Sequence, residues 1–468
     1  MHDTDQKVPV VSKALLGSFI LVTSLFALWG FANDITNPLV RAFKEVFPGL
    51  TNAQSSWVQG AFYGGYATMA IPAALFIRRF SYKAGILLGL ALYATGALLF
   101  IPAAVTKQFV WFPISLYVLT FGLAFLETTA NPYILALGDE KTATRRLNLA
   151  QAFNPIGSLI GMFVASKFIL AKLWVTDFRN AEMAAHPEYN DLLPSVVDAK
   201  IAAAREAFAA ANPAQFIGNQ THDLNVIRNP YAAIGIVVLI FFVMFLVKKM
   251  PVLKDDGGSI HPWDTAKQLF SIPRWWSGVI AQMFYVAAQI TCWTYVIHYA
   301  MTNVGMSMDV AQNYNIAAMA LFLISRFICT FLLKYFSPGH LLMTLSVVAI
   351  GLMLGVIFLQ NYTGLLCLIG VSGCMSLMFP TIYGIALDGM GQEAKLASAG
   401  LVFAIVGGAW MPLVMGGIID HPDFDLGFVK LTSVSMSFVL PLISFVVTAL
   451  YGYLTFKIFR PASELTRK

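Results

Sequence analysis

The sequence predicts an all-α, polytopic membrane protein of twelve transmembrane helices arranged as two six-helix bundles. Three observations carry this. The chain of 468 residues is 58% hydrophobic and only 12% charged, with a mean hydropathy of +0.71; a soluble domain averages about 25% charged. Twelve apolar runs each reach the roughly 20 residues that a helix needs to cross a bilayer. They centre near Phe26, Tyr66, Tyr93, Phe121, Ile160, Val238, Ala288, Leu321, Val347, Ser372, Ile405 and Phe445. The basic residues are also one-sided: nineteen Lys and Arg fall in the terminal segments and alternate loops, and only Arg41, Lys44, Lys107 and Lys430 in the short loops between them. That asymmetry predicts cytoplasmic N- and C-termini.

Composition excludes other classes. The net charge of +6 has this topological cause and implies no nucleic-acid partner. Cys292, Cys329, Cys367 and Cys374 all lie in apolar runs, without the spacing of a disulfide framework or metal site. No metal and no cofactor are expected. The polar N-terminus leads straight into an apolar segment that serves as its own insertion signal.

Taken in order, the first span reads W-G-F-A-N-D-I-T-N-P and sets Trp29, Asn33 and Asn37 on one stripe at helical spacing, with Asp34 beside it. Amides donate and accept, matching sugar hydroxyls, and an aromatic face packs a sugar ring. The same residues also suit interhelical hydrogen bonding and packing. Asp34 favours a polar cavity.

The fourth span holds F-L-E-T-T-A-N-P-Y-I-L-A-L-G, Phe125 to Gly138, around which the rest is organised. An ionised Glu127 at mid-bilayer costs about 2.5 to 3.5 kcal/mol on insertion scales, so such an acid persists where protein or a water-filled cavity receives it. A protonated acid acting as structural glue is the alternative. Asn131 lies one turn on along the same face, and Pro132 frees a backbone carbonyl there.

The fifth span begins R-R-L-N-L-A-Q-A-F-N-P-I-G and places Gln151, Asn154 and Ser158 on one face. A long outer loop follows, about 172–228, with an amphipathic helix expected around Asp198 to Ala210 and no chemistry assigned. The segment P-V-L-K-D-D-G-G-S-I-H-P-W-D carries linker signals. It divides an N-terminal bundle, 1–250, from a C-terminal bundle, 275–468, through a cytoplasmic linker at 251–274. The seventh span, A-Q-M-F-Y-V-A-A-Q-I-T-C-W-T-Y, aligns Gln282, Gln289 and Trp293. Arg326, near the inner end of the eighth span, fits a gating or structural role by snorkelling or pairing.

A weak internal repeat supports the division. R-R-F-S-Y-K-A-G follows the second span and L-K-Y-F-S-P-G-H the eighth. N-P-Y-I-L-A-L-G ends the fourth span and F-P-T-I-Y-G-I-A-L-D-G the tenth. Parallel halves of this kind predict alternating access around a midplane site.

The motifs S-Y-K-A-G-I-L-L-G-L-A-L-Y-A-T-G-A-L-L-F-I-P-A-A, L-E-T-T-A-N-P, R-L-N-L-A-Q-A-F-N, A-Q-I-T-C-W-T-Y-V-I and F-P-T-I-Y resemble the fucose:proton symporter family of the major facilitator superfamily. The resemblance spans nearly the whole chain outside the termini and long outer loop. It implies the major facilitator fold and a sugar importer of the bacterial inner membrane, with cavity carboxylates on the first and fourth helices. Glu127 falls on the fourth-helix acid, and Gln151 and Asn154 on the cavity amides of the fifth. The first helix departs: the family pattern resembles A-N-N-L-N-D, whereas Ala32 to Asn37 read A-N-D-I-T-N. Asn37 takes the acid's place and Asp34 stands three residues earlier, about one turn away.

The expected function is therefore proton-coupled symport of a small neutral monosaccharide, L-fucose or a related hexose, by a protein embedded in membrane lipid and acting as a monomer. Glu127 and Asp34 are the expected proton-coupling residues. Trp29, Asn33, Asn37, Asn131, Gln151, Asn154, Gln282, Gln289 and Trp293 are the expected sugar contacts. A uniporter or sodium-coupled carrier would use the same cavity, and a polytopic membrane glycosyltransferase is the remote alternative from another class.

Overall fold

The computed structural model describes residues 10–36, 39–50, 54, 57–192, 194–251, 267–306, 308–390, 393–419, 422–425, 427 and 430–457. Twelve helices among the described residues are long and apolar enough to cross a membrane. In the first half they are α1 (Leu16–Thr36), α2 (Gly60–Arg79), α3 (Tyr82–Thr106), α4 (Trp111–Ala136), α5 (Glu140–Lys172) and α6 (Pro213–Val247). In the second half they are α7 (Pro273–Val304), α8 (Asn313–Leu332), α9 (Pro338–Leu359), α10 (Tyr362–Leu387), α11 (Leu396–Ile419) and α12 (Ser433–Lys457). Each contains one of the twelve centres read from the apolar runs. Most of the expected linker, residues 252–266, lies outside the described residues.

Lipid offers helices no hydrophobic reason to associate, so close packing of small residues has to hold them together. In the first half α1 packs on α5, α3 on α4 and α2 on α4; in the second α7 packs on α11 and α9 on both α10 and α12. A methyl group at Gly157 of α5 would collide with the Ala27 carbonyl of α1. At the corresponding place in the second half, a methyl at Gly407 of α11 would collide with the Met283 carbonyl of α7. The sequence repeat is likewise structural. Ser81 Oγ caps α3 by accepting from the Ala84 N–H at 3.0 Å, and Ser337 Oγ caps α9 by accepting from the His340 N–H at 3.4 Å.

The end of the molecule where α4 meets α5 and α10 meets α11 carries most of the basic loop residues and is tied by cations to backbone. Arg146 is fully buried and donates through Nε to the Ile134 carbonyl at 2.7 Å and through Nη1 to the Asp139 carbonyl at 3.2 Å. It thereby closes carbonyls that the end of α4 leaves open. Lys83 Nζ does the same for α6, donating to the Leu246 and Lys248 carbonyls, each at 2.9 Å. Arg274 donates to the Asp388 carbonyl and pairs with its Oδ2 at 3.3 Å, fixing the end of α10.

At the other end, α6 is 35 residues long, about 52 Å, against a hydrocarbon core of about 30 Å. Its first turns therefore project beyond the membrane and pack on two outer helices, Trp174–Ala185 and Pro194–Ala211. The second contains the amphipathic segment expected around Asp198 to Ala210. Asp223 of α6 is fully buried and accepts from the Trp174 N–H at 2.6 Å and the Val175 N–H at 3.2 Å, capping the first outer helix. Trp174, Phe178, Phe208 and Phe216 close the space between them.

The two halves meet through α2 against α11, α4 against α11, α5 against α10 and α5 against α8. On the basic side this junction is tight enough to need a glycine: a Cβ at Gly384 of α10 would lie 2.9 Å from Thr144 Oγ1 and 3.1 Å from its Cγ2 on α5. Gly384→Val is expected to separate α5 from α10 there, raising amide hydrogen exchange several-fold in residues 143–151 and 378–387. Adding Thr144→Ala, which removes both atoms, is expected to bring exchange back toward the unmodified protein. Exchange unchanged in Gly384→Val would show that the junction is loose.

Candidate functional site

Glu127 is fully buried on α4, and neither carboxylate oxygen has a hydrogen-bond partner among the described residues. Tyr66 of α2 and Tyr383 of α10 both lie within its electrostatic reach, so one acid faces both halves. Trp29 Nε1 donates to Tyr66 Oη at 2.6 Å. An indole can only donate. Tyr66 therefore accepts from Trp29 and keeps its own O–H as a donor, close enough to Glu127 to feel its charge but not hydrogen-bonded to it.

The proline next to the acid acts as expected. Pro132 has no N–H to give the Thr128 carbonyl four residues back. That carbonyl is taken instead by Ser398 Oγ of α11 at 3.2 Å, a bond between the halves. Two further hydrogen bonds cross the junction nearby. Asn148 Nδ2 of α5 donates to Thr381 Oγ1 of α10 at 3.2 Å, and Arg326 Nη1 of α8 donates to the Gln151 carbonyl of α5 at 3.4 Å.

Arg326 is 3% exposed, with its guanidinium 4.9 Å from the Phe322 ring centroid. It therefore does not snorkel, and among the described residues it pairs with no inner-loop acid. The aromatic face and the carbonyl of the opposite half receive it, because a planar guanidinium stacks where an ammonium would need water.

Asp34 is 8% exposed on α1 and lies within electrostatic reach of Tyr63 on α2. Tyr63 and Tyr66 stand three residues apart, about one helical turn. So α2 meets Asp34 at one turn and Glu127 at the next.

The expected sugar contacts divide into two groups. Asn33 Oδ1 and both amide atoms of Gln282 are buried without a hydrogen-bond partner among the described residues. An unmade hydrogen bond at a buried polar atom costs about 1 to 3 kcal/mol, so these atoms suit a ligand. Gln289 is half-buried on α7. The others are engaged. Asn131 is fully buried, with Nδ2 on the Glu127 carbonyl at 3.1 Å and Oδ1 accepting from Gln151 Nε2 at 2.8 Å. Asn154 Nδ2 reaches the Phe26 carbonyl of α1 at 3.3 Å, and Ser158 Oγ the Gly30 carbonyl at 3.4 Å. These two serve the α1–α5 packing, where glycines bring the backbones within side-chain reach. Trp29 stacks on Phe26 and Tyr66, and Trp293 donates to Ser372 Oγ at 3.2 Å with its ring edge-on to Phe322. Asn37 lies outside the described residues.

Tyr66, Tyr383 and Ser398 escaped the sequence reading. Tyr383 stands in F-P-T-I-Y and Tyr66 three residues after Tyr63, but tyrosines in apolar runs carry no signal of which acid they face.

Comparison with known proteins agrees with this architecture. The Major Facilitator Superfamily profile matches residues 14–179. The L-fucose-proton symporter of Haemophilus influenzae is 50% identical over 452 residues, 96% of this chain and 99% of that one. The L-fucose-proton symporter of Escherichia coli is 34% identical over 414 residues, 87% of this chain and 88% of that one. Among solved structures, the major facilitator superfamily transporter FucP in the outward conformation superposes with a TM-score of 0.78 at 31% identity, over 94% of this chain and 99% of that one. A chain this similar over this length, with a fold that superposes this well, belongs to the fucose:proton symporter family of the major facilitator superfamily.

Proposed function

We propose that this protein imports a small neutral monosaccharide, L-fucose or a related hexose, together with a proton. It is a carrier and not a catalyst, embedded as a monomer in the lipid of a bacterial inner membrane with both termini cytoplasmic. Residues 1–250 and 275–468 are the two rocking halves and 251–274 their tether. The observation that carries this reading is Glu127, buried and without a hydrogen-bond partner among the described residues, at the junction where Tyr66 and Tyr383 from opposite halves lie within its electrostatic reach. Relatives that are L-fucose-proton symporters support it.

The chemistry follows from the site. A carboxylate anion in these surroundings needs donors or water, and neither oxygen of Glu127 has a donor among the described residues. A neutral acid tolerates burial at far less cost, so protonation favours the arrangement in which Glu127 is enclosed between the halves. Sugar binding to Asn33, Gln151, Gln282 and Gln289 gives the open atoms of Asn33, Gln151 and Gln282 a partner and draws α1, α5 and α7 together. A ligand moves such an equilibrium only by preferring one arrangement. Sugar and proton each prefer the closed one, which couples them. The bonds between the halves lie toward the basic end, so this arrangement is shut there and the sugar enters from the opposite side. Asp34, one turn along α2 from Glu127, is the second site for the proton, and Arg326 and Pro132 belong to the gate.

Two measurements test this. Glu127→Gln in liposomes is expected to lose at least nine-tenths of sugar accumulation under an inward proton gradient while still exchanging labelled for unlabelled sugar. Accumulation equal to that of the unmodified protein would refute the coupling role. Adding sugar to de-energised proteoliposomes is expected to make the lightly buffered outer medium more alkaline in proportion to uptake. Uptake with no pH change, or only with sodium, would mark a uniporter or sodium-coupled carrier.

A further inference from the structure

We propose that Asn131 is a positioning residue that fixes the polarity of the Gln151 amide, so that Gln151 offers its carbonyl oxygen, and not its nitrogen, to a sugar hydroxyl. The proposal deepens the reading above and rests on it. Its starting point is a main-chain group. The Glu127 carbonyl can only accept, so the Asn131 atom 3.1 Å from it has to be the amide nitrogen. Asn131 then turns its oxygen toward Gln151. Gln151 in turn has to present nitrogen at 2.8 Å to Asn131. The orientation is thus passed from the backbone of α4, through one amide, to a second on α5.

The outcome is directional. Asn131 is fully buried and both ends of its amide are bound, so it has no atom directed at a ligand. Gln151 is 5% exposed, and its main-chain carbonyl holds Arg326 of the opposite half at 3.4 Å. Its side-chain oxygen forms no hydrogen bond to a described residue. That oxygen accepts from a hydroxyl whose hydrogen points at α5. A glutamine free to turn over would take the hydroxyl as donor or acceptor alike. Asn131 thereby makes recognition at one position of the sugar depend on its hydrogen.

The test uses purified full-length protein, L-fucose and its singly deoxyfluorinated analogues, in which fluorine accepts a hydrogen bond but cannot donate one, with binding measured by calorimetry. The unmodified protein is expected to discriminate against one fluoro analogue by about tenfold, the scale of one well-made hydrogen bond, because the fixed Gln151 oxygen faces a fluorine that has no hydrogen to give. In Asn131→Ala that discrimination is expected to fall to about twofold at the same hydroxyl, matching Gln151→Ala. The double variant is expected to bind less than about twofold more weakly than Gln151→Ala alone. Asn131→Ser, which keeps a donor for the Glu127 carbonyl but is too short to reach Gln151, is expected to behave as Asn131→Ala and replaces it should the alanine variant not fold. Full discrimination retained in the Asn131 variants, or losses that multiply in the double variant, would overturn the positioning role alone. An unmodified protein that binds none of these sugars would overturn the sugar-carrier reading and this inference with it.

Discussion

A carboxyl group held deep in an apolar interior without an ion pair constrains everything around it. Among the described residues no cation pairs with Glu127. The buried Arg326 is placed against Phe322 and the Gln151 carbonyl instead. A fixed positive partner would hold the acid in its charged form and stop it from exchanging a proton. Neutral hydroxyls leave both forms open. Trp29 orients Tyr66 from the side of α1, and Tyr383 approaches from α10, so groups of both halves lie close to the acid.

The halves are alike in packing and unlike in polarity. Matching serine caps on α3 and α9, and matching glycine crossings at α1–α5 and α7–α11, give them one scaffold. Both acids of the site belong to the first half. The second half supplies Tyr383, Ser398, Gln282 and Arg326, none of which carries a negative charge. Duplication thus accounts for the frame, and divergence of a few positions on it accounts for the asymmetry of the site.

Most of the fold was legible because hydrocarbon demands long apolar helices and short loops, and both are visible as runs of letters. Glu127, Asp34, Asn33 and Gln282 were legible for a related reason: polar atoms at lipid depth need an explanation wherever they occur. Which of several amides is left open was not legible. Asn131, Asn154 and Gln151 have the same helical periodicity, yet Asn154 is engaged by a carbonyl of α1 and Asn131 by its own helix and Gln151. That difference depends on how closely Gly157 lets α1 approach, a distance no periodicity encodes. The shift of the first-helix acid was visible as a departure from the family pattern, but the tyrosine facing each acid depended on the rotation of α2.

Pro132 has a consequence for leakage. By withholding an N–H from the Thr128 carbonyl it leaves a backbone oxygen inside the membrane whose replacement donor, Ser398, belongs to the other bundle. When the bundles part on this side, the oxygen loses that donor, and only an incoming water molecule can restore it at little cost. Parting and wetting therefore occur together, and a dry crack between the bundles is disfavoured at this level whatever the protonation of the acid. A carrier built this way resists idle breathing of the seal at its basic end and opens there as a hydrated passage or not at all.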